Sequence, residues 1–480
     1  MSASVRAANL DAQALPTRLE QLLDAGGRMQ MAYAWHPQPG RTEVRYLAAP
    51  GPRQPFELWS CRADGGELPS LALRAPLLGW YEREMQDLYG LAFRGHPEPY
   101  PLVVERSAEG TLRAPLVLPE VSDPQVQLLG FGPVRADVLE SAQFLFFYLG
   151  EAIVHYLPRL FLKHRGMEAK FEGASPMHGC VLAERVSGVG SVAHALAYCQ
   201  AVEDAAGCAV PPRAKRLRVL LAELERLYNH LHYFGQLADA TTLKVGQAEG
   251  RLLEERVKQL AGRLTGQRFM RNLLCPGGLR RDVAVPIDLA DTLQRLRREV
   301  ESYLVQLERT TSYLDRLLAT GVLRKDVAFD QGATGPVERA SGLDRDLRRD
   351  HPYAAYDELH VPVALAEEGD AYARARVRAA ELRAGFDLLE LLLPRLEHGP
   401  VYAPCAPEPL GFGLGWAESP RGSLYYAVHL DAQGMLARVK IKSPSFSNWR
   451  AFPFTVHQTN MMDYAINEAS FGLTIAGCDR

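Results

Sequence analysis

The sequence predicts an α+β domain over residues 1–120, then a mainly helical (α+β) domain over 131–480 built on a core of long helices, with a linker at 121–130. Three observations carry this reading. In the first part, short alternating runs at Met31–Trp35, Glu43–Ala48 and Phe56–Arg62 are separated by Pro and Gly, behind a helical start at Leu15–Leu23. Further on, Ala214–Ala240 and Leu243–Arg263 place apolar residues at i, i+3, i+4 and i+7, the stripe of long core-facing helices. No alternating strand–helix–strand pattern joins them, which indicates a helical core domain.

At 480 residues the chain is long enough for two or three domains with sizeable cores, and 47% hydrophobic with 23% charged residues is ordinary globular composition. A net charge of −3 argues against a nucleic-acid partner. The seven cysteines (61, 180, 199, 208, 275, 405 and 478) form no Cys-x-x-Cys pair, so neither a zinc ribbon nor a cysteine-ligated iron–sulfur cluster is expected in this chain. Their dispersal suggests reduced thiols in the cytoplasm. The start of the chain leads to no apolar signal segment. No run approaches the roughly 18 apolar residues of a spanning helix, the nearest being Phe144–Leu149. Work at a membrane would therefore depend on other subunits.

Taken in order, Gly79–Gly90 reads as an amphipathic helix with a solvated acidic face and Gly90 at its C-cap. Ala114–Gly130, with Pro115, Pro119 and Pro124, reads as linker, and Gln143–Tyr156 as paired strands. In Glu184–Glu203 a loop with Gly188 and Gly190 feeds a helix whose apolar stripe is Val192, Leu196, Cys199 and Val202, with Ser191 as N-cap. Such a loop lets backbone approach a ligand closely and leaves N–H groups at the positive end of the helix. His230 and His232 lie about 200° apart on their helix and cannot chelate one metal, so His230 is expected as a hydrogen-bonded core histidine. Gly277-Gly278 marks a turn, Asp288–Leu318 one long amphipathic helix, and Gly369–Pro394 another. Tyr425–Leu430 and Leu436–Ile441 form a hairpin around Asp431–Gly434.

Several of these stretches carry a resemblance. Arg185-x-Ser187-Gly188-x-Gly190-x-x-Ala193-His194 resembles the first metal motif of the NiFe-hydrogenase large subunit, Arg-x-Cys-Gly-x-Cys-x-x-Ala-His. The ending Thr474-Ile475-Ala476-Gly477-Cys478-Asp479-Arg480 resembles the Cys-x-x-Cys-x-Asp-Arg of the energy-converting, formate hydrogenlyase type. All four thiolate positions are filled otherwise, by Ser187, Gly190, Thr474 and Gly477, so the resemblance implies a site without its metal. Lys163-His164-Arg165-Gly166-x-Glu168 and Glu418-x-Pro420-Arg421-Gly422 are also similar to that family. The related complex I subunit puts a quinone pocket there, marked by a Tyr and by a His loop. Gly188 stands at the Tyr position and Gly132–Glu140 reads differently from the His loop, so neither quinone ligand is present. Upstream, Glu82-Arg83-Glu84-x-x-Asp87-Leu88-x-Gly90-x-x-Phe93-x-Gly95-His96-Pro97 resembles the signature of the small hydrophilic complex I subunit, which in some relatives is fused ahead of the large one.

The resemblance spans about Pro76 to Arg480 and implies the large cytoplasmic-side subunit of a membrane-bound complex, peripheral to the inner face of the membrane. Its implied partners are a small iron–sulfur subunit with a 4Fe–4S cluster and ion-translocating membrane subunits. No cofactor or metal is expected on this chain itself; a quinone-like acceptor would sit near Arg185, His194, Arg421 and Arg480, in a cavity whose further candidate residues are Glu168 and Asp479. Glu168 is expected either to relay protons or to partner a buried Arg. Two readings stay open: electron transfer to that acceptor, or a structural, coupling role in which the retained charges form a buried ion-pair network.

Overall fold

A computed structural model describes residues 5–38, 40–63, 65–103, 118–134, 140–406, 408–457 and 459–480. The linker residues 114–117 and the segment 135–139 of the Gly132–Glu140 stretch lie outside these.

The chain opens with β1 (Val5–Asn9), α1 (Leu15–Asp24), β2 (Arg28–Gln38), β3 (Arg41–Ala49) and β4 (Phe56–Arg62). The strands form one sheet in the order β1-β4-β3-β2, in which only the β1–β4 pair is parallel. A short pair, β5 (Glu67–Pro69) and β6 (Ala92–Arg94), flanks α2 (Gly79–Tyr89), and Gly90 closes that helix in the left-handed conformation at φ 67°. Next, β7 (Gln127–Phe131), β8 (Gln143–Leu149) and β9 (Ala152–Arg159) make an antiparallel sheet. The expected strand pair is there, joined by a third strand from the end of the expected linker. Pairing of Leu128–Phe131 with Phe144–Phe147 draws residues 127–130 out of the linker.

Three helices follow, α3 (Met167–Phe171), α4 (Pro176–Ala183) and α5 (Ser191–Ala205), and then the long antiparallel pair α6 (Pro212–Ala240) and α7 (Lys244–Thr265). After the two-residue strands β10 (Leu274–Cys275) and β11 (Gly278–Leu279) come α8 (Leu289–Arg309) and α9 (Thr311–Leu317). The single helix expected over 288–318 is thus two, because Thr310 adopts an extended backbone at φ −88°, ψ 97°. Short helices α10 (Lys325–Asp330), α11 (Pro336–Ala340) and α12 (Leu347–Asp350) lead to α13 (Ala371–Leu392). The hairpin is the outer part of a three-stranded sheet, β12 (Phe412–Ser419), β13 (Gly422–Leu430) and β14 (Leu436–Lys442). The chain ends in α14 (Pro444–Ala451), α15 (Tyr464–Phe471) and α16 (Ile475–Asp479).

Helix α5 lies directly on this sheet. A Cβ built on Gly413 or Gly415 would stand 2.0 Å from the carbonyl oxygens of Ala201 and Ala197, so glycine on β12 permits the approach. The two halves share one continuous core, which runs from Leu15 and Trp59 to Ile475 and Cys478. Polar contacts cross the same boundary: Tyr33 shares a hydrogen bond with His429 at 2.9 Å, and Arg28 faces Glu338 at 3.3 Å.

Candidate functional site

The loop Glu184–Gly190 and the tail Thr474–Arg480 meet in space. A Cβ on Gly477 would stand 2.6 Å from Thr474 Oγ1, 3.4 Å from Ser445 Oγ and 3.5 Å from Ser187 Oγ. The fourth position, Gly190, is open, since a Cβ there would meet only His194 Cδ2 at 3.5 Å. Arg165 stitches the two segments together, donating to the carbonyls of Arg185 (3.1 Å), Val186 (2.5 Å) and Ala476 (2.9 Å).

A nickel–iron centre does not fit this place. It needs four thiolates, and the converging side chains are two hydroxyls and two hydrogens. Thr474 has also taken up part of the space: its Oγ1 accepts from Gly477 N–H at 3.2 Å and shares a 3.1 Å bond with Ser445 Oγ. A cysteine at 477 would have to push that hydroxyl aside. The Cys478 thiol is fully buried, and burial with Asp479 alongside raises its pKa well above the ordinary value. Among the described residues no group of three His, Cys, Asp or Glu could hold a metal ion.

The start of α5 departs from expectation. Gly190, not Ser191, is the N-cap, and the N–H groups of Val192 and Ala193 are taken by Glu225 of α6 at 2.7 and 2.9 Å. A buried carboxylate thus fills the anion position that the glycine loop offered to a ligand. Burial pushes Glu225 up to about 7, against the pull of those N–H bonds. Ser191 instead accepts from Arg271 Nε at 3.0 Å.

The six expected cavity residues do not converge on one opening. Arg185 points outward, 54% exposed, and donates to the Val181 carbonyl at the end of α4. His194 is buried and shares a 2.8 Å bond with Tyr426; burial, then Arg165, lowers it to about 3, so the ring is neutral. Arg421 donates to Gly472 O (2.7 Å) and Asn229 Oδ1 (2.5 Å), which places it against the tail. It pairs with neither Glu168 nor Asp479. Asp479 accepts from the N–H groups of Phe161 and Lys163, both at 3.0 Å, and burial raises it to about 6.

Glu168 and Arg480 belong to a buried network with three members that the sequence reading did not assign: Glu84, Arg438 and Lys440. Arg480 reaches Glu84 at 2.8 Å and Glu168 at 3.0 Å; Arg438 reaches Glu168 at 2.7 Å; Lys440 reaches Glu84 at 2.5 Å and Glu168 at 3.1 Å. Burial would raise Glu168, but Lys440, Arg438 and Arg480 outweigh it and hold the carboxyl well below its ordinary range. Of the two roles weighed for Glu168, the geometry realises the charged partner. A second buried network joins Arg226, Arg339 and Arg348 to Glu223, Asp346, Glu381 and Glu418. His230 hydrogen-bonds Glu381 there at 2.9 Å, as a core histidine. The missed partners stand at sequence separations of 270 and more from Glu168 or Arg480; the one available signal was Arg438, Lys440 and Lys442 alternating on one strand.

Three family models match successive parts of the chain. The respiratory-chain NADH dehydrogenase 30 Kd subunit matches residues 16–119, nickel-dependent hydrogenase 165–248, and the respiratory-chain NADH dehydrogenase 49 Kd subunit 250–410 and 407–480. Formate hydrogenlyase subunit 5 of Escherichia coli is 31% identical over 84% of this chain and 75% of its own. The chain belongs to the family of complex I 49 Kd and hydrogenase large subunits. It is also 28% identical to the C/D subunit of NADH-quinone oxidoreductase from Cereibacter sphaeroides, over 87% of this chain and 83% of that one. A chain in the structure of the membrane-bound sulfane sulfur reductase, an archaeal respiratory membrane complex, superposes with a TM-score of 0.70 at 26% identity, covering 75% of this chain and all of the other. Among the described residues no helix is long and apolar enough to cross a membrane.

Proposed function

We propose that this chain is the large hydrophilic subunit of a complex I-like, membrane-bound respiratory complex, peripheral to the inner face of the membrane. On this reading it passes electrons from a 4Fe–4S cluster of a small partner subunit to a neutral, hydrogen-bonding acceptor of the quinone class, with membrane subunits moving ions. The relatives' names supply the setting: a quinone oxidoreductase, a hydrogenlyase and a respiratory membrane complex.

One observation supports the acceptor. The hydroxyl of Ser187, a residue only 6% exposed, has no hydrogen-bond partner among the described residues, and its Oγ faces the space left at Gly477. A hydroxyl with no partner in the chain is free to donate to a ligand carbonyl. When bound, such an acceptor would supply the two-electron chemistry that the missing metal no longer provides. Ser187 would donate to it, and His194, locked by Tyr426, would stay uncharged beside it.

The ion-paired network at Arg480 favours the coupling reading instead, because both residues of the Asp-Arg ending are engaged inside the chain. Ser187→Ala in the assembled complex separates the two. An acceptor bonded to Ser187 predicts normal assembly with KM for a quinone analogue raised roughly 3- to 10-fold, the worth of one hydrogen bond. Unchanged kinetics would leave only coupling, and stoichiometric nickel in the purified complex would refute both.

A further inference from the structure

Strand β14 is buried on both faces, yet Arg438, Lys440 and Lys442 alternate along one of them at 5%, 1% and 2% exposure. Only eight of the chain's 54 basic residues are lysines, and these two are the buried ones; the other six are exposed or half-buried. Arginine holds its proton in any protein environment, whereas lysine gives it up when desolvated. The chain therefore uses arginine where a fixed charge suffices and lysine at two buried neighbours.

The two lysines differ in partners. Lys440 is held by Glu84 and Glu168. Lys442 has no carboxylate within ion-pair distance among the described residues; its Nζ donates to Gln30 Oε1 at 3.0 Å and Ser423 Oγ at 3.3 Å, over the Tyr425 ring. Facing it are the cations Arg28 of β2 and Arg345, and the carboxylates Glu338 and Glu418. Glu338 is taken up by Arg28 and Glu418 by Arg339. Burial and then Arg28 lower Lys442 to about 7, while burial and then Asp346 raise Glu418 to about 7.

Lys442 lines one void, and the residues that hold it line another. A cleft of about 110 Å³ lies between the first sheet and residues 338–351, and it is lined by the Gln30, Ser423 and Tyr425 that hold Lys442, with exposed Asp344 on its wall. A void of about 10 Å³, room for about one water, is lined by Lys442, Gln30 and Tyr81. The Tyr81 hydroxyl is buried without a hydrogen-bond partner, and Lys440 sits 5.5 Å over its ring. Beyond Lys440 are Glu84 and Arg480.

We propose that this cleft is a proton port in which Lys442 takes a proton from cleft water and releases it to water in the one-water void beside Tyr81. One proton moves and no electrons: an Nζ–H bond forms as a hydronium or buffer acid in the cleft loses its proton, and that bond breaks as water in the void takes the proton up. The use of the port in turnover rests on the acceptor reading above; the port itself does not.

The test uses the full chain with 13Cε-labelled lysine, whose eight signals can be followed individually by NMR. One signal should titrate with a midpoint of about 7 and vanish in Lys442→Met. Filling the cleft with Ala49→Phe, or Gly51→Leu if the first does not fold, should leave that midpoint and slow exchange of the Nζ protons with water at least tenfold. No lysine titrating below about 9, or exchange indifferent to both fillings, would overturn the port. In the assembled complex Lys442→Arg keeps the charge but cannot release it, and should lower turnover with a quinone analogue at least tenfold at unchanged yield. Wild-type turnover in that variant would overturn the release step. A wild-type complex that reduces no quinone analogue would instead remove the acceptor reading, leaving the NMR result to decide the port.

Discussion

Replacing Glu168 by Gln probes the network that ties α2, α3, β14 and the tail together. In the native chain Glu168 accepts from Arg480 at 3.0 Å, from Arg438 at 2.7 Å and from Ile441 N–H at 3.1 Å, with Lys440 at 3.1 Å. Three cations then face two carboxylates, Glu84 and Glu168. The amide leaves them facing one, and Arg438 loses its carboxylate. Breaking such a buried pair costs about 3–5 kcal/mol. At roughly 2.1 cal/mol/K per residue, unfolding 480 residues as one unit carries about 1 kcal/mol/K, so the midpoint should fall by about 3–5 °C. Near-UV circular dichroism melts at neutral pH would measure it. Adding Lys440→Met should return more than half of the loss, because the cation made surplus is removed with the carboxylate. The pH dependence has a fixed sign. A carboxyl held below its ordinary value stabilises the fold above the ordinary range, and that contribution is lost as pH falls through the folded value. The wild-type advantage over Glu168→Gln should therefore persist from neutrality to about pH 4.5 and shrink only below it. A loss under about 1 kcal/mol, or one that Lys440→Met deepens, would refute the claim that the cluster is held by this charge balance.

Two further outcomes follow from the same contacts. Coexpressed 1–122 and 123–480 should copurify, because Lys440–Glu84, Arg28–Glu338 and Tyr33–His429 cross the cut; two folded halves that elute separately would contradict this. Glu225, raised by burial to about 7, keeps its proton in the fold at pH values where the unfolded chain has lost it, so its share of stability falls as pH rises from about 4.5 to 7, by up to about 3 kcal/mol. Glu225→Gln should flatten that slope in melts at the two ends of the window, and an unchanged slope would place the titration elsewhere.

Local pattern carried the fold where the apolar periodicity is strong. The stripes of α6 and α7 and the alternation of β2 to β4 sat within a few residues of their final bounds. It failed where a long-range partner decides. β7 has few signals of its own and becomes a strand because β8 pairs with it. Ser191 has the side chain of an N-cap, but a carboxylate 33 residues away satisfies the helix start, leaving the hydroxyl to Arg271. Thr310 breaks a continuous amphipathic stripe by backbone conformation alone. At the site, Ser187 and Gly477 lie close together, and the motifs could not show that Arg185 faces outward or that Arg480 is already paired.

That difference explains which family residues remain. Arg165, Arg421, Asp479 and Arg480 each satisfy buried backbone or charged groups, so losing any one would leave an unpaired partner in the interior. Their retention therefore needs no catalysis to explain it. The four positions that resemble the family's thiolates hold a serine, a threonine and two glycines. Thr474 is the N-cap of α16, accepting from Gly477 N–H. Ser187 is buried, and its hydroxyl has no partner among the described residues. A residue that does not hold the fold is where a ligand would leave its mark, which is why the acceptor reading stands or falls on Ser187 and not on the charged residues around it.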